Sequence, residues 1–196
     1  MGRVGGCERR TEETSITVRL ALDGRGRVVS ETGLPFFDHM LTAMAFHGRF
    51  DLEVCGRGDL EVDPHHLVED VGICVGRALA DALGMHEGIE RFGHAVVPMD
   101  ESLVTAVIDI SGRPLLHWDL PVPERRFGAF HTDLLPEFFR ALVNNARLTM
   151  HLRGETVGNA HHAAEAAFKA VGRALRSAVT RRETMEIPST KGRVGG

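Results

Sequence analysis

RGDLEVDPHHLVEDVGICVGRALADAL, residues 57–83, returns 96 positions later as RGETVGNAHHAAEAAFKAVGRALRSAV, residues 153–179. Eleven of the 27 aligned pairs are identical, among them His65/His161, His66/His162, Glu69/Glu165, Gly76/Gly172 and Arg77/Arg173. Ordinary composition would give about two by chance. Internal duplication accounts for the excess. In each copy the apolar residues recur with the 3.6-residue period of an amphipathic helix: Val68, Val71, Val75, Ala78, Leu79 and Ala82, then Ala164, Ala167, Phe168, Val171, Ala174, Leu175 and Ala178.

Working outward, each copy is preceded by the same series of patterns. In the first half Ile16, Val18, Leu20 and Leu22 alternate with polar residues, as in a half-buried strand. Asp23-Gly24 turns the chain toward a second strand near Val28–Ser30. Pro35 opens a helix that reaches about His47 and is expected to stop at Gly48. Phe50, Leu52 and Val54 alternate again before the helix from His65 to Gly84. The second half has strands at Leu103–Ile110 and Leu115–Asp119, a helix over 132–145, and a strand carrying Leu148, Met150 and Leu152. Residues 91–99 are expected to form an additional strand joining the halves. The fold class is therefore α+β: two strand–strand–helix–strand–helix halves, with mixed sheets, helices packed on one face of each, and a pseudo-twofold relation. The expected organisation is a single domain made of two repeats, 9–94 and 95–182, with a polar tail over 183–196.

Composition narrows the function classes. The chain has 196 residues, 43% hydrophobic and 26% charged, with a formal net charge of −4. That balance disfavours nucleic acid and anionic membranes as partners. No apolar run spans a bilayer, and the Gly/Arg-rich start lacks the apolar core of a signal peptide, so a cytoplasmic location is expected. Cys7, Cys55 and Cys74 form no Cys-x-x-Cys and suggest no thiolate metal site. Cys74 falls on the apolar stripe of its helix and is read as buried filler. Histidine is the over-used residue, with eleven copies.

The two His-His-x-x-Glu runs begin paired helices. Adjacent helical residues point about 100° apart, so the two imidazoles of one run serve two ions more easily than one. The carboxylate three and four residues on lies on a nearby face. Two runs could complete a dinuclear centre, and imidazole with carboxylate suits six-coordinate Mn or Fe, and also Zn. His39, in Phe36-Phe37-Asp38-His39-Met40, adds a further imidazole on the preceding helix. Lys169 falls two turns after His161 on one helix and leans toward the same centre.

In combination these residues resemble the imidazoleglycerol-phosphate dehydratase family, nearly end to end. The motifs are Arg9-x-Thr11-x-Glu13-Thr14, Gly33-x-Pro35-Phe36-x-Asp38-His39-Met40, His65-His66-x-x-Glu69-Asp70, Arg91-Phe92-Gly93, Asp109-x-Ser111-Gly112-Arg113-Pro114, His161-His162-x-x-Glu165-x-x-Phe168-Lys169 and Pro188-Ser189-Thr190-Lys191-Gly192. The resemblance implies two Mn2+ per subunit, held by His39, His65, His66, Glu69, His161, His162 and Glu165. It implies a small phosphorylated imidazole as substrate and a homo-oligomer of 24 subunits built from trimers. Where some members place His before Phe-Phe-Arg, this chain has Glu137, whose carboxylate could also ligate. Arg91, Arg113, Lys169 and Lys191 match phosphate-contacting positions, with Ser189 as a hydroxyl donor and Arg126 a weaker candidate. Glu13 is the candidate acid/base or hydroxyl-positioning group, with Glu69 or Glu165 as substitutes in that catalytic role. His47 and Asp100 are further substrate-side candidates, and His131 is read as a surface histidine. The implied reaction is Mn-dependent dehydration to imidazole acetol phosphate in histidine biosynthesis. A dinuclear metallohydrolase, or a non-enzymatic metal-binding assembly, would use the same His pairs.

Overall fold

The computed structural model describes residues 2–183, 186–190 and 192. The first half contains β1 (Val4–Arg10), β2 (Thr14–Ala21), β3 (Val28–Glu31), α1 (Pro35–Gly48), β4 (Asp51–Gly58) and α2 (His65–Leu83). The second contains β5 (Phe92–Met99), β6 (Ser102–Asp109), β7 (Leu115–Asp119), β8 (Arg126–Phe127), β9 (Phe130–His131), α3 (Leu134–Ala146), β10 (Thr149–Thr156) and α4 (Ala160–Ala178). The sheet orders are β1-β2-β4-β3 and β5-β6-β10-β7, so the duplication extends to strand order. In each sheet two pairings are antiparallel and the last is parallel.

The chain is a mixed α+β fold; β1 and the β8–β9 hairpin lie beyond the sequence reading, and the strand expected over 91–99 is present with a different role. β5 does not link the halves. It is the edge strand of the second sheet, antiparallel to β6, and β1 is its counterpart. β1 was missed because Gly5 and Gly6 weaken any strand pattern. Gly5 is needed there for close approach: a Cβ would fall 2.1 Å from the Ala78 carbonyl oxygen of α2. Gly93 on β5 repeats the arrangement, with the Ala174 carbonyl oxygen of α4 at 2.0 Å from a built Cβ.

Helices from opposite halves pack on each other. α1 lies on α4 and α3 lies on α2, each crossing at a glycine. A Cβ on Gly172 would stand 2.1 Å from the Met44 carbonyl oxygen, and one on Gly76 would stand 2.6 Å from that of Leu142. The result is one continuous hydrophobic core drawing on both sheets and all four helices. α1 ends one residue later than expected, with Arg49 rather than Gly48 in the left-handed conformation (φ 55°). The hairpin β8–β9 is too short to leave a periodic signal.

Candidate metal centre

α1 is fixed at its start before it presents any ligand. Pro35 occupies the first turn, where no backbone donor is needed. The Asp38 carboxylate accepts from Ser30 Oγ (2.6 Å), Thr32 N (3.0 Å) and Thr32 Oγ1 (2.9 Å), tying β3 to the helix. That anchorage, with the Gly172 crossing, sets His39 against α4. His39 Nε2 lies 3.2 Å from Glu165 Oε2, and His161 Nε2 lies 3.1 Å from the same oxygen. His39, His161 and Glu165 thus converge as three potential ligand donors from two halves of the chain. Phe36 and Phe127 close on the His161 ring edge-on, at 5.3 and 5.7 Å between centroids. Phe127 comes from the hairpin that the sequence did not announce.

Glu165 is buried, and burial opposes its charge. The Lys169 ammonium, 2.7 Å from Oε1, outweighs that effect together with His39, so the carboxyl titrates below its ordinary value. Lys169 therefore stands at this centre as the partner of a candidate ligand carboxylate. His47, one helix over, is pushed down by its own burial and then by Lys169 and Arg173.

His162 points into a second donor group with Asp100 and Glu101. Glu101 Oε2 lies 2.9 Å from His162 Nδ1, and Asp100 Oδ2 lies 3.6 Å from Nε2. Glu101 also accepts from the Asn159 backbone N–H at 2.6 Å, where Asn159 caps α4 by accepting from His161 N. The backbone bond first, and then His162, hold the Glu101 carboxyl down at about 2. The same Glu101 bond raises His162.

The first motif has a parallel arrangement. His66 Nδ1 lies 3.1 Å from Asp59 Oδ2 and 3.8 Å from Glu13 Oε2, and Asp59 leads in raising its pKa. His65 Nε2 lies 3.7 Å from Glu69 Oε2 on the exposed start of α2. Glu13 and Glu101 occupy matching places, one residue before β2 and β6. Sequence reading named Glu13 but missed Glu101 and Asp59. Sliding the strands by 88 residues, rather than the 96 of the helices, superimposes Glu13-Thr14 on Glu101-Ser102 and would have exposed the first of them.

The fold brings the second motif together with His39, Lys169, Asp100 and His47, but does not join the first motif to it. Among the described residues, neither three-donor cluster contains His65, His66 or Glu69. Glu137 is ion-paired to Arg140 on α3 and also stands outside both clusters. The anion-binding candidates form a separate group. Arg91 clamps Asp109 through Nε (2.7 Å) and Nη2 (3.2 Å) and donates from Nη1 to the Pro188 carbonyl at 2.8 Å, drawing in the segment that carries Ser189. Arg113 is exposed, with Nη2 3.7 Å from Asp109. Lys191 lies outside the described residues. Arg126 and His131 pair across the β8–β9 hairpin.

Duplicated α+β halves with imidazole–carboxylate clusters at their helix starts define a class: a pseudo-symmetric protein whose nitrogen and oxygen donors are compatible with a metal cofactor. The family model for imidazoleglycerol-phosphate dehydratase matches residues 32–175. Imidazoleglycerol-phosphate dehydratase of Moorella thermoacetica is 54% identical over 193 residues, covering 98% of both chains. That of Gluconobacter oxydans is 54% identical over 186 residues, covering 94% of both. The crystal structures of the dehydratases from Staphylococcus aureus and Pyrococcus furiosus superimpose with TM-scores of 0.82 and 0.83, each at 38% identity. They cover 91% and 96% of this chain and 99% and 100% of their own. The chain belongs to the imidazoleglycerol-phosphate dehydratase family.

Proposed function

We propose that the chain is a hydro-lyase that removes water from D-erythro-imidazoleglycerol phosphate to give imidazole acetol phosphate, a step of histidine biosynthesis, with two Mn2+ per subunit. The observation that carries this reading is the convergence of His39, His161 and Glu165, with Lys169 behind the carboxylate, in a chain of this family. The donor set fits such an ion: two imidazole nitrogens and a carboxylate already held in its charged form, with no thiolate.

His39, His161 and Glu165 would hold one ion, and His162 would serve another. The first motif, His65, His66 and Glu69, would complete the pair from a neighbouring subunit, with Glu137 on α3 as a further carboxylate. A bound Mn2+ would supply Lewis acidity toward an azole nitrogen. The protein's own groups do the rest. Asp59 and Glu101 engage the Nδ1 atoms of His66 and His162, which fixes each ring and leaves Nε2 for coordination. Glu13 stands beside His66 as the acid/base group. It takes the proton from the substrate carbon one removed from the ring and that proton is returned to the hydroxyl next to the ring, which departs as water, and the resulting enol becomes the ketone. Arg91, Arg113, Ser189 and Lys191 bind the phosphate, and His47 and Asp100 line the substrate side.

Assembly completes the site in this reading. Phe92, Val96, Val107 and Leu115 are 60, 54, 45 and 53% exposed on the outer face of the second sheet. Exposed large apolar residues set among the polar ones of that face support a homo-oligomer, and trimers gathered into 24 subunits are the expected form. No helix among the described residues is long and apolar enough to cross a membrane, in keeping with a cytoplasmic enzyme. The test is turnover of imidazoleglycerol phosphate after chelation and Mn2+ readdition, with particle size followed in parallel. Ketone formation without phosphate release, lost and restored with the metal, is expected. Release of inorganic phosphate would instead identify a metallohydrolase, and metal binding indifferent to the imidazole a metal store.

A further inference from the structure

The inner residues of β1 step along α2 in a fixed register. Gly5 lies on Ala78 and Ala82. Two residues on, Cys7 Sγ stands 3.3 Å from Cys74 Sγ. Two further on, Arg9 Nε donates to Asp70 Oδ1 at 2.7 Å. Two strand residues advance about 6.7 Å and four helical residues about 6 Å, so the ladder keeps in step and places the two sulfurs opposite each other. The second half repeats the ladder from Gly93 over Ala174 and Ala178. Its strand and helix shifts put Ala95 and Ala170, both buried, where the first half has Cys7 and Cys74. Packing at this level therefore requires only two small apolar side chains. The thiols are additional to what the fold needs.

We infer that Cys7 and Cys74 are a redox-active pair that closes to a disulfide when the protein meets a peroxide. Cys7 is partly exposed and Cys74 is fully buried. Burial, and then the contact with Cys7, push the Cys74 thiol up to about 12, so Cys7 is the sulfur that oxidant reaches first. The Cys7 thiolate attacks one peroxide oxygen. The O–O bond breaks, hydroxide leaves and takes up a proton, and Cys7 becomes a sulfenic acid. Cys74 Sγ then attacks Cys7 Sγ and the S–O bond breaks. Water leaves with the Cys74 proton. Two thiols are oxidised, one peroxide is reduced, and two waters form. The new bond ties β1, whose end leads through residues 11–13 to Glu13, to α2, whose start carries the first motif.

The test uses the full chain carrying Cys55→Ser, which removes the exposed third thiol. The protein is treated with stoichiometric hydrogen peroxide, then denatured, alkylated with N-ethylmaleimide and weighed intact. The expected result is two maleimide groups before oxidation and none after, a mass lower by two hydrogens, a linked Cys7–Cys74 peptide, and recovery with dithiothreitol. The melting temperature should rise by several degrees on oxidation. In Cys74→Ala, which copies the second half and should fold, Cys7 should gain oxygen instead. Retention of two alkylatable thiols in the Cys55→Ser protein, or oxygen added to Cys7 with no link to Cys74, would overturn the inference.

Discussion

Replacing Gly172 by Ala tests whether the helix crossing builds the candidate metal centre. The new methyl would lie 2.1 Å from the Met44 carbonyl oxygen and 3.1 Å from the Gly48 nitrogen, both backbone atoms of α1. Backbone cannot rotate away, so α1 must retreat by about 1 Å at the crossing. His39 rides on α1 and Glu165 on α4, and their 3.2 Å contact would open beyond hydrogen-bonding reach. Overpacking of this kind costs about 1–3 kcal/mol of stability. Displacing one of three converging donors should weaken Mn2+ binding by about 10- to 100-fold. Isothermal titration calorimetry of the chelated protein, with thermal unfolding alongside, reads both effects. Gly76→Ala is the internal comparison. It meets the Leu142 carbonyl oxygen at 2.6 Å on the α2–α3 crossing and leaves the α1–α4 crossing untouched. It should lower stability similarly and leave the ion at His39 and Glu165 more tightly bound than Gly172→Ala does. Unchanged Mn2+ affinity in a destabilised Gly172→Ala protein would refute the reasoning, because α1 would have moved without cost to the centre.

Two further perturbations follow from the charges. Lys169→Met leaves Glu165 with burial opposing its charge and no ammonium to offset it, so the Glu165 pKa should rise. Protons then compete with metal at higher pH, and the acid edge of Mn2+ binding should move upward; an unmoved edge would show that Glu165 does not bind the ion as a carboxylate. Arg3→Ala acts on Asp23, whose carboxyl is held at about 2, chiefly by Arg3. A lowered folded-state pKa contributes stability above the unfolded value near 3.8, and that contribution is lost as pH falls toward about 2. With the Asp23 side chain 35% exposed, the pH-dependent loss at neutral pH should be about 1 kcal/mol after screening. It should shrink across the acid limb of urea unfolding, leaving a remainder from the bond between Arg3 Nη1 and the Val179 carbonyl, 2.6 Å long.

What was legible in the sequence follows from where the signal is periodic. The four long helices and the inner strands carry apolar residues at regular spacing because each buries one face. Both His-His-x-x-Glu runs stood out because helix copies keep a constant offset. The missed pieces share a different cause. β1 trades strand-forming side chains for a glycine that lets it touch α2. The β8–β9 hairpin is short, yet it brings Phe127 against His161. Glu101 escaped because the two repeats differ in length between their early strands and their helices, so no single offset aligns both. That difference bears on the chemistry. Glu101 braces His162 and the start of α4 at once, while on the first half Asp59 stands nearest His66 and Glu13 farther off. His39 reaches Glu165 across one helix pair, whereas Glu137 on the other is turned to Arg140. Duplication therefore supplied two similar frames, and the side chains that diverged between them make the two helix starts chemically unequal. In the proposed dehydration, unequal helix starts would let a leaving hydroxyl and an azole nitrogen be treated differently.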